Sequence, residues 1–183
     1  AALGQDSMAL NGGQAIGNYS LAIGGLLPNQ AKANGDKSIA IGWDCSATAV
    51  SSISIGTTNN STGVNSIAIG SECSASGNNS VAMGNNTQTQ YLSQTVVGQY
   101  NKLDATTGSN PTTTYSGNNK IFTVANGSGI NGDPMQYHNA LQIWNSGRTD
   151  ISGVSGEAIF DVSYGSFELY DRNKVKIKAY HST

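Results

Sequence analysis

The chain has 183 residues, a formal net charge of −2 and 11 % charged residues, against roughly a quarter in ordinary soluble proteins. So weak a field excludes a polyanion-binding surface, and nucleic acid is not expected as a partner. No apolar run approaches the ~18 residues of a membrane helix, so membrane insertion is not expected; no secretory leader pattern opens the chain, and Ala1 has the look of a fragment or a processed product.

In place of charge stand 23 Gly, 23 Ser and 20 Asn, residues of turns and hydrogen-bonded ladders. They are ordered around a recurring phrase. A degenerate copy, Ser7-Met8-Ala9-Leu10-Asn11, is followed by Ser20-Leu21-Ala22-Ile23-Gly24 and Ser38-Ile39-Ala40-Ile41-Gly42. Then come Ser52-Ile53-Ser54-Ile55-Gly56, Ser66-Ile67-Ala68-Ile69-Gly70, Ser80-Val81-Ala82-Met83-Gly84 and, degenerate again, Thr95-Val96-Val97-Gly98. The repeat glycines are Gly24, Gly42, Gly56, Gly70, Gly84 and Gly98, with a strict spacing of 14 from Gly42 onward. A short fixed period means stacked units that touch only their neighbours. Between Gly24 and Gly42 the spacing is 18, and the extra residues around Gly25–Asn29 are expected to bulge from one corner.

Within a phrase, apolar-small-apolar-Gly has the period of two that marks a short strand. Ile39 and Ile41 point one way and Ala40 the other, and the glycine is expected to turn a corner with positive φ. The second half of each repeat, as in Cys45-Ser46-Ala47-Thr48-Ala49, reads as another short strand with side chains fit for a narrow interior. Two strands and two turns make one rung of a parallel β-roll, and six glycine-bearing rungs at about 4.8 Å span roughly 29 Å. Cys45 and Cys73 lie two rungs apart, about 10 Å, beyond the ~7 Å a disulfide allows, so both are expected as free interior thiols. Small interior residues leave the Ile pairs on a second face that one chain cannot cover. A closed homotrimer, which buries every copy of that face without an open edge, is expected over the alternative of a monomeric β-helix with its own core.

The phrase Asn-x-Ser-(Ile/Val)-Ala-(Ile/Met)-Gly every 14 residues resembles the head repeat of trimeric autotransporter adhesins, over about residues 6–101. The resemblance implies an all-β fold: a YadA-like left-handed parallel β-roll in an intertwined homotrimer. Asn11, where the first glycine would stand, suits a terminal rung. After Gly98, Asn119–Gly127 and His138–Asp150 are similar to a connector of phage tail fibres and large bacterial fibres, which implies a section near a fibre's distal end.

The three aromatics of residues 1–98 give way to ten in the remainder. That shift divides the chain into a roll at 1–98, a connector at 99–156 and a small antiparallel β tip at 157–183. Leu103–Gly117 reads as a loop, Lys120–Ala125 and Ala140–Asn145 as strands. Phe160, Val162 and Tyr164, Phe167 and Leu169, and Val175 and Ile177 alternate as tip strands, with a turn at Asp171–Lys174 and Glu168 facing Lys176 or Lys178.

Among chemistry-bearing patterns, Gly127-Ser128-Gly129-Ile130-Asn131-Gly132 fits G-x-G-x-x-G in form. Asp133-Pro134 comes next in place of the helix that a dinucleotide site needs, so the stretch reads as a turn. His138 and His181 lack the partners of a triad or a zinc site, and Asp161, Glu168 and Asp171 read as surface pairing rather than a glycosidase pair. No catalytic residue, metal or cofactor is expected. Tyr115, Tyr137, His138, Trp144, Tyr164 and Tyr170, with Tyr180, form the candidate ligand-binding set, because aromatic faces beside Asn and Gln suit sugar stacking and interface anchors.

The function expected is a non-enzymatic section or distal tip of an extracellular homotrimeric fibre, on a bacterial surface or a virion tail, binding a cell-surface glycan or protein. A glycan-cleaving tip and a purely structural connector are the alternatives.

Overall fold

A computed structural model describes residues 1–101, 103, 113, 116–133 and 136–151, and the backbone of 169–170 and 176–177. All elements among the described residues are β-strands. The chain alternates long and short strands: β1 (Met8–Leu10), β2 (Gln14–Ala15), β3 (Leu21–Ile23), β4 (Lys32–Ala33), β5 (Ile39–Trp43), β6 (Ser46–Ala47) and β7 (Ile53–Thr57). There follow β8 (Asn60–Ser61), β9 (Ile67–Ser71), β10 (Ser74–Ala75), β11 (Val81–Asn85), β12 (Gln88–Thr89) and β13 (Thr95–Gln99). The odd-numbered strands stack in parallel as one sheet and the even-numbered ones as a second. Each long strand, short strand and pair of corners is one rung, as the period implies. The short strands hold only two residues, so Ala49, expected as strand, lies at a bend.

Register is set by identity between rungs: Ile39 pairs Ile53, Ile53 pairs Ile67, and Gly42, Gly56, Gly70, Gly84 and Gly98 pair in one column. The central residue of each long strand points inward, and Ala22, Ala40, Ser54, Ala68, Ala82 and Val96 are all fully buried. Ala15, Ala33, Ala47, Ser61, Ala75 and Thr89 meet them from the other sheet. With an interior this thin, the flanking isoleucines have no room inside and remain half-exposed on the outer face. Cys45 and Cys73 are buried free thiols. They share an interior corner column with Ala31, Asn59, Thr87 and Asn101.

The corners are not where the glycines suggested. Gly56 is the fourth residue of β7, with φ 126°. The left-handed corner residues come two positions later and again after seven more: Asp44, Ser51, Thr58, Asn65, Glu72, Asn79, Asn86, Ser93 and Tyr100, with φ of 47–57°. No shared side-chain type marks them. What holds them is the ladder, because each corner N–H reaches a carbonyl of the rung before it, as Thr58 N–H does to Trp43 O (2.8 Å) and Glu72 N–H to Thr57 O (2.9 Å). The glycine column has a different cause. A Cβ on Gly56 would lie 2.0 Å from the Gly70 carbonyl oxygen, so a side chain there collides with the next rung.

The sheet does not end at Gly98. β14 (Lys120–Asn126) pairs in parallel with β13, placing Ala125 beside Gly98. β15 (Asn139–Trp144) then pairs antiparallel with β14, and β16 (Thr149–Ile151) antiparallel with β15, completing ten strands. Alanine is admitted at 125 because its next neighbour is antiparallel and shifts register between Val124 and Ala125. The second sheet stops at β12, where Asn101 imitates a further strand. Its Oδ1 accepts from Gln88 N–H (2.7 Å) and its Nδ2 donates to Gln88 O (3.0 Å).

Near the C-terminus, β17 (Leu169–Tyr170) pairs antiparallel with β18 (Lys176–Ile177), Leu169 opposite Ile177. Phe160, Val162, Tyr164, Phe167, Glu168, Asp171–Lys174, Val175 and Lys178 lie outside the described residues, as does most of Leu103–Gly117.

Candidate functional site

The candidate ligand-binding set divides. Tyr115, Tyr164 and Tyr180 lie outside the described residues, with His181 and Asp161, and for Tyr170 only the backbone is described. Tyr137, His138 and Trp144 remain, and β15 separates them: Tyr137 and His138 precede its start and Trp144 ends it. Five residue steps at about 3.4 Å put those ends roughly 17 Å apart, so they make two places rather than one.

At the first place, the Tyr137 ring meets the Tyr100 ring edge-to-face, with centroids 6.2 Å apart and planes at 63°. This geometry matches the ring quadrupoles and leaves Tyr137 46 % exposed. Tyr100 is the residue that sequence patterns do not single out. It occupies the corner column of Glu72 and Asn86, with φ 47°, and donates its N–H to Asn85 O (3.0 Å) as they do to theirs. Its ring lies against Gly129, where a Cβ would come within 2.3 Å of the Tyr100 Cζ. That contact accounts for a glycine of the G-x-G-x-x-G stretch. Asp133 N–H to Ile130 O (3.1 Å) closes the stretch as a turn.

His138 is held on both sides of its backbone, donating to Tyr100 O (3.0 Å) and accepting from Asn126 N–H (3.2 Å). Its Nδ1 lies 2.6 Å from Asn126 Oδ1. Since that oxygen only accepts, Nδ1 is the donor of this bond. Tyr100, Asn126, Tyr137 and His138 thus offer an exposed aromatic ring and an imidazole oriented by Asn126.

At the second place, Trp144 is already engaged. The Arg148 guanidinium carbon lies 4.5 Å from its ring centroid and Lys120 Nζ 5.5 Å. Arg148 also forks onto Asp150, with Nε 2.9 Å from Oδ1 and Nη2 on Oδ2. The carboxylate raises the Arg148 pKa further and fixes the guanidinium at the ring. Two cations on one ring make a structural clamp.

Burial pushes the Cys45 thiol pKa up, with hydrogen bonds to it opposing, so the nucleophilic thiolate is disfavoured. Among the described residues, no three His, Cys, Asp or Glu side chains converge as a metal site, and no helix is long and apolar enough to cross a membrane.

The largest organised surface is a sheet face. Residues paired directly across strands project to the same side. One column therefore runs Met8, Leu21, Ile39, Ile53, Ile67, Val81, Thr95, Phe122, Ile143, Thr149. The other runs Leu10, Ile23, Ile41, Ile55, Ile69, Met83, Val97, Val124, Leu141, Ile151. None of the 20 is buried in the chain. The corresponding outer face of the short-strand sheet is polar, with Gln14, Lys32, Ser46, Asn60, Ser74 and Gln88.

No curated protein matches the chain. The family model of the YadA head domain repeat matches residues 29–44, 47–72 and 74–89, within the rungs from β4 to β12. Residues 29–89 of this chain are thus similar to a run of YadA head domain repeats.

Proposed function

We propose that the chain is a non-enzymatic section of an extracellular homotrimeric fibre, at or near its tip, that attaches to a cell surface. The observation that carries this is the two-column outer face across all ten strands of one sheet, apolar at every position but Thr95 and Thr149. A strip of that length is uncovered within one chain, and exposed apolar area on this scale marks an interaction surface. Its partner is a surface of the same length and spacing, which identical copies supply, and three copies around one axis cover all strips at once. The polar face of the other sheet is then the outside. The match to YadA head domain repeats supports the same reading.

In this assembly residues 1–98 are a stiff spacer, 99–156 connect, and 157–183 form the tip, on a bacterial surface fibre or a virion tail fibre. The recognition surface lies beyond about residue 101, and the target is a surface glycan or protein. Three identical weak sites on one rigid end gain effective concentration, so a modest single contact suffices. Among the described residues Tyr137 and His138 are the contact we favour, because Tyr137 is exposed and the His138 ring is oriented by Asn126, whereas Trp144 is clamped by Arg148 and Lys120.

Light scattering of the purified chain should give three times the chain mass; a monomer mass overturns the assembly. On a glycan array or whole cells, Tyr137→Ala should weaken binding by about tenfold or more while the trimer mass is retained. Trp144→Ala should weaken it less. Equal, unaltered binding by both variants would remove this surface from the target contact.

A further inference from the structure

The rung between Gly24 and Gly42 departs from the 14-residue rule by insertion. Gly24 stacks on Gly42, and Asp44 N–H bonds Asn29 O (3.0 Å) as Thr58 N–H bonds Trp43 O (2.8 Å). Asn29 is therefore the counterpart of Trp43, and the insertion is the four residues Gly25-Leu26-Leu27-Pro28, the difference between spacings of 18 and 14. Its root is built. Asn29 N–H closes on Leu26 O (2.8 Å) and Ala31 N–H on Gly24 O (3.1 Å). A Cβ on Gly12 of the preceding rung would lie 3.5 Å from the Leu26 Cδ2. Yet Leu26 is 67 % and Leu27 79 % exposed.

The loop leaves the long-strand sheet at the column of Trp43, which follows Ile41 and Gly42 at the end of β5 and is 48 % exposed. On every later rung that column is polar: Thr57, Ser71, Asn85, Gln99 and Asn126. Among the described residues the apolar face is thus two columns wide, broken at Thr95 and Thr149, and widens past its rim where the insertion stands.

We infer that Leu26, Leu27 and Trp43 form a clasp that closes over the rim of a neighbouring copy of this chain in the trimer. The inference rests on the trimer reading above and locates one of its contacts. The occupant is argued by continuity, since only glycines stand between Ile23 of the strip and Leu26 and between Ile41 and Trp43, so whatever covers the strip reaches the patch. Its chemistry fits as well. The patch contains no Lys or Arg to draw it to an anionic bilayer, and Asp44 adjoins Trp43. A loop whose root is already packed loses little conformational freedom on docking. In a cyclic trimer each clasp meets the same rim of the next copy, so three contacts form together.

Two variants test this, each in a Trp144→Phe background so that Trp43 is the sole tryptophan. Deleting residues 25–28 restores a 14-residue rung; Leu26→Asn/Leu27→Asn keeps the loop length. Sedimentation velocity across a dilution series and acrylamide quenching of Trp43 are read against the background chain. The expected result is that both variants dissociate at about tenfold or more higher concentration, with Trp43 emission moved to the red and quenched more readily. Dissociation and quenching unaltered in both variants overturn the clasp while leaving the trimer standing. A background chain of monomer mass overturns the trimer reading and the clasp with it. Trp43 emission that moves to the blue only on adding phosphatidylcholine vesicles assigns the loop to lipid and also overturns the clasp.

Discussion

At the residue scale, each rung uses two kinds of left-handed backbone for two reasons. Gly56 stands where the carbonyl of Gly70 leaves no room for a Cβ, and its φ of 126° is hostile to any side chain. Thr58, with φ 55°, has room but is a β-branched residue in a conformation it disfavours. The two positions therefore respond in opposite senses. Gly56→Ala should cost about 3 kcal/mol or more, from backbone strain and collision together. Thr58→Gly should stabilise by about 0.5–1 kcal/mol, the left-handed strain relieved exceeding the added unfolded-chain entropy. Urea unfolding of both variants measures this, and a destabilised Thr58→Gly would mean that the corner ladder favours a side chain there. Serines that open three of the phrases also have a local role: Ser7 Oγ donates to Gly4 O (2.7 Å), Ser20 Oγ to Gly17 O (2.6 Å) and Ser52 Oγ to Ala49 O (2.8 Å), tying those corners shut.

Among elements, the long strands are legible in the sequence because their period of two and their glycines recur. The short strands are legible only as small residues, and the structure trims each to two positions. The rise in aromatic content after Gly98 reads as a change of segment, yet backbone pairing carries the sheet on through β14 and reverses direction only at β15. Composition cannot reveal this, since pairing depends on carbonyl and amide positions that Phe122 or Ala125 meet as well as Thr95 or Gly98 do. The end of the short-strand sheet is equally hidden, because it rests on one side-chain amide that takes the place of a peptide group. Asn101→Ala removes both bonds to Gln88, a loss of about 1–3 kcal/mol locally. Hydrogen exchange at the Gln88 amide should accelerate by about tenfold or more, while the Ala68 amide on the other sheet keeps its protection.

For the molecule as a whole, the consequence of a narrow interior is a rod with one apolar and one polar side. Ile41→Lys/Ile55→Lys puts two charges on the strip without touching the interior, where Ala40 and Ser54 lie. The double variant should keep its β circular dichroism and yield monomer mass by light scattering, because burying unpaired ammonium groups costs several kcal/mol each. A trimer mass would place the interface elsewhere. The length of a rung, the small interior and the surplus apolar side were settled by the sequence alone, since each follows from residue size at a fixed period. Only the tertiary structure decided where the corners fall, how far the sheet extends and which aromatics meet. Tyr100 touches Tyr137 and Gly129 because the chain folds back after β14, whereas Trp144 is carried along β15 to Lys120 and Arg148. Contacts of that kind join residues far apart in the chain, and no local period encodes them.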